Sequence, residues 1–225
     1  LEAFYGMKAH VLIRFGKWEE ILDEPLPDDP KMFCVTTAIW QYAKGIAHAV
    51  LGNIDAALVQ QKLLKEAVAA LPEDRIVFQN DTRDILAVAG PMLAGELEYR
   101  RGNFDVAFNH LRKAVEFYDT LNYSEPWSWM MPPRHALGAL LLEQGHVEEA
   151  AAVYRADLGL DDTLVRPSQH PNNIWSLVGY AECCEKSGDQ AALDVIKPHL
   201  EKAQKIADDA IDVSCFCRIG HMCCD

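Results

Sequence analysis

The sequence predicts an all-α protein, a right-handed solenoid of about five antiparallel helical hairpins, and two observations lead to this prediction. Gly138 precedes the turn glycine Gly145 by seven residues, and the small-aromatic pair Ala150 and Tyr154 follows the turn. Seven residues make two helical turns, so the first glycine lies near one helix face and the later residues return along a partner helix. Half of the 225 residues are apolar, enough to bury a large core. We therefore expect one continuous domain.

The same spacing recurs along the chain, sharply in two places and in weaker form in two others. The recurrences are Gly45, Gly52 and Ala57; Gly95, Gly102 and Ala107; Ala9, Gly16 and Ile21; and Ala181, Gly188 and Leu193. Repetition on this scale is typical of stacked helical pairs. The predicted hairpins span approximately residues 1–22, 32–72, 82–121, 133–158 and 173–211, and a cysteine-rich tail covers 212–225.

Prolines and capping residues set the element boundaries. Asp23–Pro30 holds three prolines and four acidic residues and is predicted to be a loop. Asp81 or Thr82 can cap the helix that follows, and Asn173 can cap a later one. These positions define where the third and fifth hairpins begin.

Two predicted helices contain an internal proline. Pro91 implies a kink or a later helix start, and Pro198 is expected to bend or interrupt a long helix over Ala191–Ile211.

Residues 122–133 (NYSEPWSWMMPP), here named the Trp-Pro segment, are too apolar for a solvated loop and too proline-rich for a helix. We expect the segment to pack onto the folded chain. Trp127 and Trp129 alternate about Ser128, which in an extended chain places both rings on one side. We expect these rings to form the wall of a groove, with packing at a repeat junction as the alternative.

Leu137, Gly138, Gly145, Ala150 and Tyr154 resemble the consensus of the tetratricopeptide repeat (TPR) family. The third hairpin is similar through Ala94, Gly95, Gly102, Asn103, Ala107, Leu111 and Ala114. The turn glycines are 36, 50, 43 and 43 residues apart, longer than the family's repeat of about 34 residues. The resemblance is thus to a divergent, long-repeat subtype. It implies a binding scaffold and specifies no reaction.

Charge and hydropathy narrow the class of partner. The net charge of −13 argues against binding to nucleic acid, which requires clustered lysine and arginine. No apolar run approaches the length of about 20 residues needed for a membrane span. We expect a cytoplasmic protein, although a targeting signal upstream of Leu1 remains open.

The cysteines suggest one weak metal site. The chain has seven cysteines, four of them in its last eleven residues, and we expect reduced thiols. In a helix, Cys217, His221 and Cys224 would share one face and offer soft ligands for zinc or copper. Their spacing is not C-x2-C and free cysteine is often buried, so we predict core or capping cysteines, with no metal or other cofactor.

The inner helices of such a solenoid line its concave face. By helical phase, the candidate groove residues are His10, Arg14, Trp40, Tyr42, Glu96, Tyr99, Trp127, Trp129, Arg134, His135 and Trp175. Arginine pairs with carboxylates and aromatic rings cover apolar side chains, a mixture that suits a peptide or a small anionic ligand. Two alternatives are that the aromatics are interhelical core and that His10, His48 and His135 line a channel.

No catalytic motif is present. The sequence has no G-x-S-x-G, phosphate-binding glycine loop, H-E-x-x-H or C-x-x-C, and we predict no catalytic residue. The predicted function is a scaffold that binds a protein or peptide in the concave groove. The alternatives are a small-molecule or metal-binding repeat protein, accessory to or part of an enzyme, and an enzyme of unfamiliar type.

Overall fold

The computed structural model of the chain describes residues 2–218 and confirms an all-α protein. The described strands, β1 (Ile76–Val77) and β2 (Asn80–Asp81), form one short antiparallel pair. No described helix is long and apolar enough to cross a membrane. The chain divides into two compact units, residues 1–133 (unit 1) and 134–225 (unit 2). The single continuous domain stays a prediction.

Unit 1 consists of short N-terminal helices followed by longer paired helices. Its helices are α1 (Glu2–Tyr5), α2 (Met7–Arg14), α3 (Trp18–Asp23), α4 (Cys34–Val50), α5 (Ile54–Ala69), α6 (Thr82–Ala87), α7 (Ala89–Arg100) and α8 (Phe104–Asp119). Helix α4 packs against α5, and α7 against α8. Gly52 and Gly102 join these pairs with φ of +81° and +80°, a conformation that glycine adopts without steric cost.

Unit 2 contains α9 (Pro133–Glu143), which begins at the last residue of unit 1, then α10 (Val147–Leu158), a 3-10 turn (Arg166–Ser168), α11 (Ile174–Ser187) and α12 (Gln190–Ile206). Helix α11 packs against both α10 and α12. Trp175, Val178 and Ile211 form a buried apolar cluster, and Leu200 and Phe216 are among the side chains that cover it.

In three of the predicted hairpins, the glycine seven residues before the turn lies at a close side-chain contact. A Cβ atom would lie 2.6 Å from Leu93 at Gly45, 2.7 Å from Leu111 at Gly95 and 2.5 Å from Tyr154 at Gly138. Since real Cβ atoms do not approach other heavy atoms so closely, a side chain at any of these positions would force its neighbour to shift. The prediction that a residue at a close contact is followed seven residues later by a turn glycine is confirmed at all three positions.

The predicted caps are also confirmed. The Asp81 carboxylate accepts a hydrogen bond from the Arg83 amide at 2.7 Å, and the Asn173 side chain accepts from the Trp175 amide at 3.1 Å. Pro91 lies in the first turn of α7, where its missing N–H has no intrahelical partner to lose.

Helix α12 differs from the prediction at its end and at its proline. It continues through Pro198, an exposed residue, and ends at Ile206 rather than at Ile211. Beyond Ala207 the chain leaves the helix, and Ile211 packs into the Trp175 cluster. Burial of Ile211 against another element, which the local pattern does not report, decides this boundary.

Candidate functional site

Three predicted groove residues meet in the interior of unit 1, and we name them the ring cluster: His10 on α2, Tyr42 on α4 and Trp129 in the Trp-Pro segment. The Trp129 ring centroid lies 4.7 Å from that of His10 and 5.1 Å from that of Tyr42. All three side chains are buried. The Trp-Pro segment therefore packs onto the folded chain, as its composition predicts.

Hydrogen bonds from β2 hold the Trp-Pro segment in place. The Asn80 side-chain amide donates to the Asn122 carbonyl at 2.9 Å and to the Ser128 hydroxyl at 2.8 Å. The Asn122 backbone amide donates back to the Asn80 side-chain oxygen at 2.7 Å. Because Trp129 directly follows Ser128, this bonding fixes the place of its ring.

The two tryptophans of the segment lie in different environments. Trp129 is 0% exposed, whereas Trp127 is 36% exposed. Backbone bends over residues 125–131 break the extended alternation that would place both rings on one side. The extended chain on which the same-side placement depends is therefore absent, and the groove wall stays a prediction.

Two ring nitrogens of the cluster are buried without hydrogen bonds. Neither His10 Nδ1 nor Trp129 Nε1 has a partner within residues 2–218. Leaving a buried donor or acceptor unpaired costs about 1–3 kcal/mol. Trp129 can only donate, while a neutral histidine nitrogen can donate or accept. Both nitrogens therefore retain unsatisfied hydrogen-bonding capacity in the interior of unit 1.

Burial, assisted by nearby charges, favours the neutral forms of His10 and Tyr42. Burial, assisted by the positive charge of Arg14, lowers the pKa of His10 from 6.5 to about 4. Burial, assisted by the negative charge of Glu96, raises the pKa of Tyr42 above its ordinary value. Five predicted groove residues thus interact within unit 1: His10, Arg14, Tyr42, Glu96 and Trp129.

One charged residue near this group was missed by the sequence reasoning. Arg100 Nε lies 2.7 Å from Glu96 Oε1, and both side chains are buried. The i,i+4 spacing of opposite charges on α7 is the signal that could have identified it.

Three other predicted groove aromatics lie in the core. Trp40 is buried on α4, and Tyr99 packs edge-on against Phe104 at a centroid distance of 5.0 Å. Trp175 packs against Phe216 at 5.8 Å in unit 2. These placements agree with the alternative interpretation of the aromatics as interhelical core.

A second buried polar arrangement lies in unit 2, and we name it the Asp157 network: Asp157, His135, His170 and Ser176. His135 Nε2 and Ser176 Oγ lie 3.0 Å and 2.6 Å from Asp157 Oδ2, and His170 Nδ1 lies 2.8 Å from Oδ1. The His170 backbone amide also donates to the Asp157 carbonyl at 2.6 Å. The predicted groove residues Arg134 and His135 both belong to α9 in this unit.

The network favours an ionised carboxylate despite its burial. Burial by itself would raise the pKa of Asp157, but the charges and hydrogen bonds of His135 and His170 hold this pKa well below its ordinary value. Asp157 thereby ties α9, α11 and the loop between Gly159 and Asn173 to the end of α10. Both oxygens bond to this chain, so the arrangement anchors structure.

Most of this network has no signal in the amino-acid sequence. The partners of Asp157 are 13, 19 and 22 residues away along the chain, at positions that match no motif. Only tertiary packing brings them together.

The cysteines differ from the expectation of reduced thiols at one place. Cys215 and Cys217 form a disulfide, which their Cα separation of 5.2 Å permits. Cys34, Cys183 and Cys184 are free and buried. His221 and Cys224 lie outside the described residues, and within the described part no cluster of histidine, cysteine and acidic residues could hold a metal ion.

Comparison with known proteins gives no relative: no family model, no curated protein and no solved structure matches this chain. The resemblance to the TPR family therefore depends on the residues quoted above.

Proposed function

We propose that this protein is a TPR-like scaffold, a right-handed solenoid of about five antiparallel hairpins that binds a protein or peptide segment on its concave face. The support for this architecture is the seven-residue offset between a close-contact glycine and a turn glycine at Gly45, Gly95 and Gly138. Repeats of this kind stack side by side and present extended binding surfaces.

The ring cluster is the observation that carries the binding function. It combines three aromatic rings with two unpartnered nitrogens next to the cation of Arg14, and because all three rings are buried, binding requires the Trp-Pro segment to move aside. Aromatic rings take up apolar side chains, and Trp129 N–H with His10 Nδ1 can fix a polar group of the bound segment. A scaffold whose clients vary needs no catalytic group, in keeping with the lack of a catalytic motif.

Selection of random displayed peptides on the full-length protein tests the proposal. Trp129→Phe keeps an aromatic ring and removes the N–H, so it should weaken binding of the selected peptides about tenfold, equivalent to about 1.4 kcal/mol. Trp175→Phe, the same change in the core of unit 2, is the matched control and should leave the dissociation constant within about twofold. Equal effects of the two changes would contradict binding at the ring cluster.

The exposed Trp127 provides a second test, since its loss should disturb the fold little. If the Trp-Pro segment forms a groove wall, Trp127→Ala should weaken peptide binding with little change in melting temperature. A lower melting temperature with intact binding would instead identify ordinary interhelical core.

Small-angle scattering tests the solenoid itself. A compact sphere-like chain of this length has a radius of gyration of about 17 Å. A solenoid should give a clearly larger value, and a value at the compact limit would exclude it.

A further inference from the structure

A cavity of about 510 Å³ lies in unit 2 beside the second half of α12, and we name it the α12 cavity. Its lining residues are Asn172, Pro198, His199, Lys202, Ala203 and Ile206. The volume falls within the usual range of small-molecule sites, about 300–1,000 Å³. None of the lining residues belongs to the Asp157 network, so the cavity is a separate feature of the unit.

One part of the lining is apolar and accessible. Pro198, Ala203 and Ile206 supply this surface, and Ile206 is 79% exposed. An exposed aliphatic side chain next to a concavity gains free energy when a ligand covers it. The cavity therefore favours a ligand with an apolar body.

The other part of the lining is cationic or polar. Lys202 contributes an ammonium group, and His199 is oriented by a 2.7 Å hydrogen bond between its Nδ1 and the side-chain oxygen of Asn172. Because that oxygen accepts, Nδ1 carries the proton and Nε2 is left as the second polar atom of the ring. Asn172 adopts a φ of +63°, a conformation that asparagine tolerates better than most residues.

The charge of the lining contrasts with that of the whole chain. Acidic residues outnumber lysine and arginine by 34 to 21 in the sequence, but none of the six lining residues in the described part of the chain carries a carboxylate. A local cation in an acidic protein attracts an anion where the remaining surface repels it.

We propose that the α12 cavity binds a small organic anion with an apolar body, its acidic group paired with Lys202 and its body covered by Pro198, Ala203 and Ile206. This site is independent of the peptide scaffold proposed above, because its residues all lie in unit 2 and none belongs to the ring cluster. The acidic group can be a carboxylate, sulfonate or phosphate, since each meets an ammonium group in the same way.

The fluorescent probe 8-anilinonaphthalene-1-sulfonate, titrated into the full-length protein, tests this proposal. Lys202→Glu should weaken binding of the probe about tenfold or more, because it places a carboxylate against the sulfonate. Lys197→Glu makes the same charge change on the same helix at an exposed residue outside the lining, and it should weaken binding by no more than about twofold. The uncharged analogue N-phenyl-1-naphthylamine should bind more weakly than the sulfonate and respond little to Lys202→Glu.

Three outcomes would overturn the proposal. One is an equal loss of affinity in the Lys202 and Lys197 variants, which would indicate a general charge effect. The second is equal binding of the charged and uncharged probes, which would indicate an apolar surface only. The third is the absence of saturable binding of the sulfonate. Ile206→Ser should weaken binding of both probes, because it removes apolar surface from the lining.

Discussion

The Asp157 network of unit 2 and the ring cluster of unit 1 differ in how their buried polar atoms are partnered. In unit 2, both oxygens of Asp157 are bonded, and the carboxylate joins three other parts of its unit to α10. In unit 1, His10 Nδ1 and Trp129 Nε1 are also buried, but they have no hydrogen-bond partner within the described residues. The Asp157 network therefore stabilises the fold, whereas the ring cluster retains the energetic cost of unpaired buried nitrogens.

Removal of Asp157 should produce the largest effect. Asp157→Ala leaves the two histidines and Ser176 buried without their acceptor, and a broken buried pair costs about 3–5 kcal/mol. Urea denaturation followed by circular dichroism measures the change in free energy of unfolding. A loss below about 1 kcal/mol would mean that the network does not anchor unit 2.

Truncation of Trp129 should cost nearly as much in unit 1. Trp129→Ala removes a fully buried ring, and such changes cost about 3–5 kcal/mol. Trp127→Ala, in the same segment but partly exposed, should change the free energy of unfolding by less than about 1 kcal/mol. Similar costs for both would show that the segment packs differently in solution.

Substitution of Gly138 tests the helix contact within unit 2. Gly138→Leu pushes side-chain atoms into the Tyr154 ring and should cost about 1–3 kcal/mol through overpacking. Gly90→Ala on α7 is the matched control, because a Cβ there meets nothing within 4 Å. It should raise stability by about 0.4–1 kcal/mol. An unchanged melting temperature in Gly138→Leu would contradict the close contact.

Lowering the pH should reduce the stabilisation that the Asp157 network provides. The folded protein holds the pKa of Asp157 below its ordinary value of 3.8, so the stabilisation is fully present above that value and is lost as the pH falls below it. Relative to Asp157→Asn, the wild-type protein should lose up to about 1.4 kcal/mol per pH unit in that range. If the free energies of unfolding of the two proteins changed equally as the pH decreased, Asp157 would make no pH-dependent contribution to stability.

Replacement of His10, whose Nδ1 has no hydrogen-bond partner among the described residues, should have the smallest effect. His10→Phe removes a buried nitrogen that has no hydrogen bond, so the free energy of unfolding should stay within about 1 kcal/mol of wild type or rise. His170→Phe should cost about 1–3 kcal/mol, because it leaves Asp157 Oδ1 without its donor. A larger loss for His10→Phe than for His170→Phe would reverse the contrast between the two units.

Part of the candidate site could be predicted because it follows from helical phase. His10, Tyr42 and Glu96 lie on helices whose apolar residues recur with the helical period in the sequence. That period indicates which face of each helix points inward, and the three residues could be grouped from it. Trp129 could be predicted to be buried from composition, since two tryptophans and two methionines rarely remain in water. Its exact neighbours could not, because they depend on how the bends of the Trp-Pro segment are held by Asn80.

The sequence by itself determined the helical class of this protein, the glycines at turns and close contacts, and the caps at Asp81 and Asn173. These features depend on residues a few positions apart, where backbone geometry allows few solutions. Only the tertiary structure decided that α12 ends at Ile206, that Trp127 and Trp129 separate, and that His135, His170 and Ser176 converge on Asp157. Each of these outcomes depends on burial or hydrogen bonding between residues far apart in the chain, which no local pattern records.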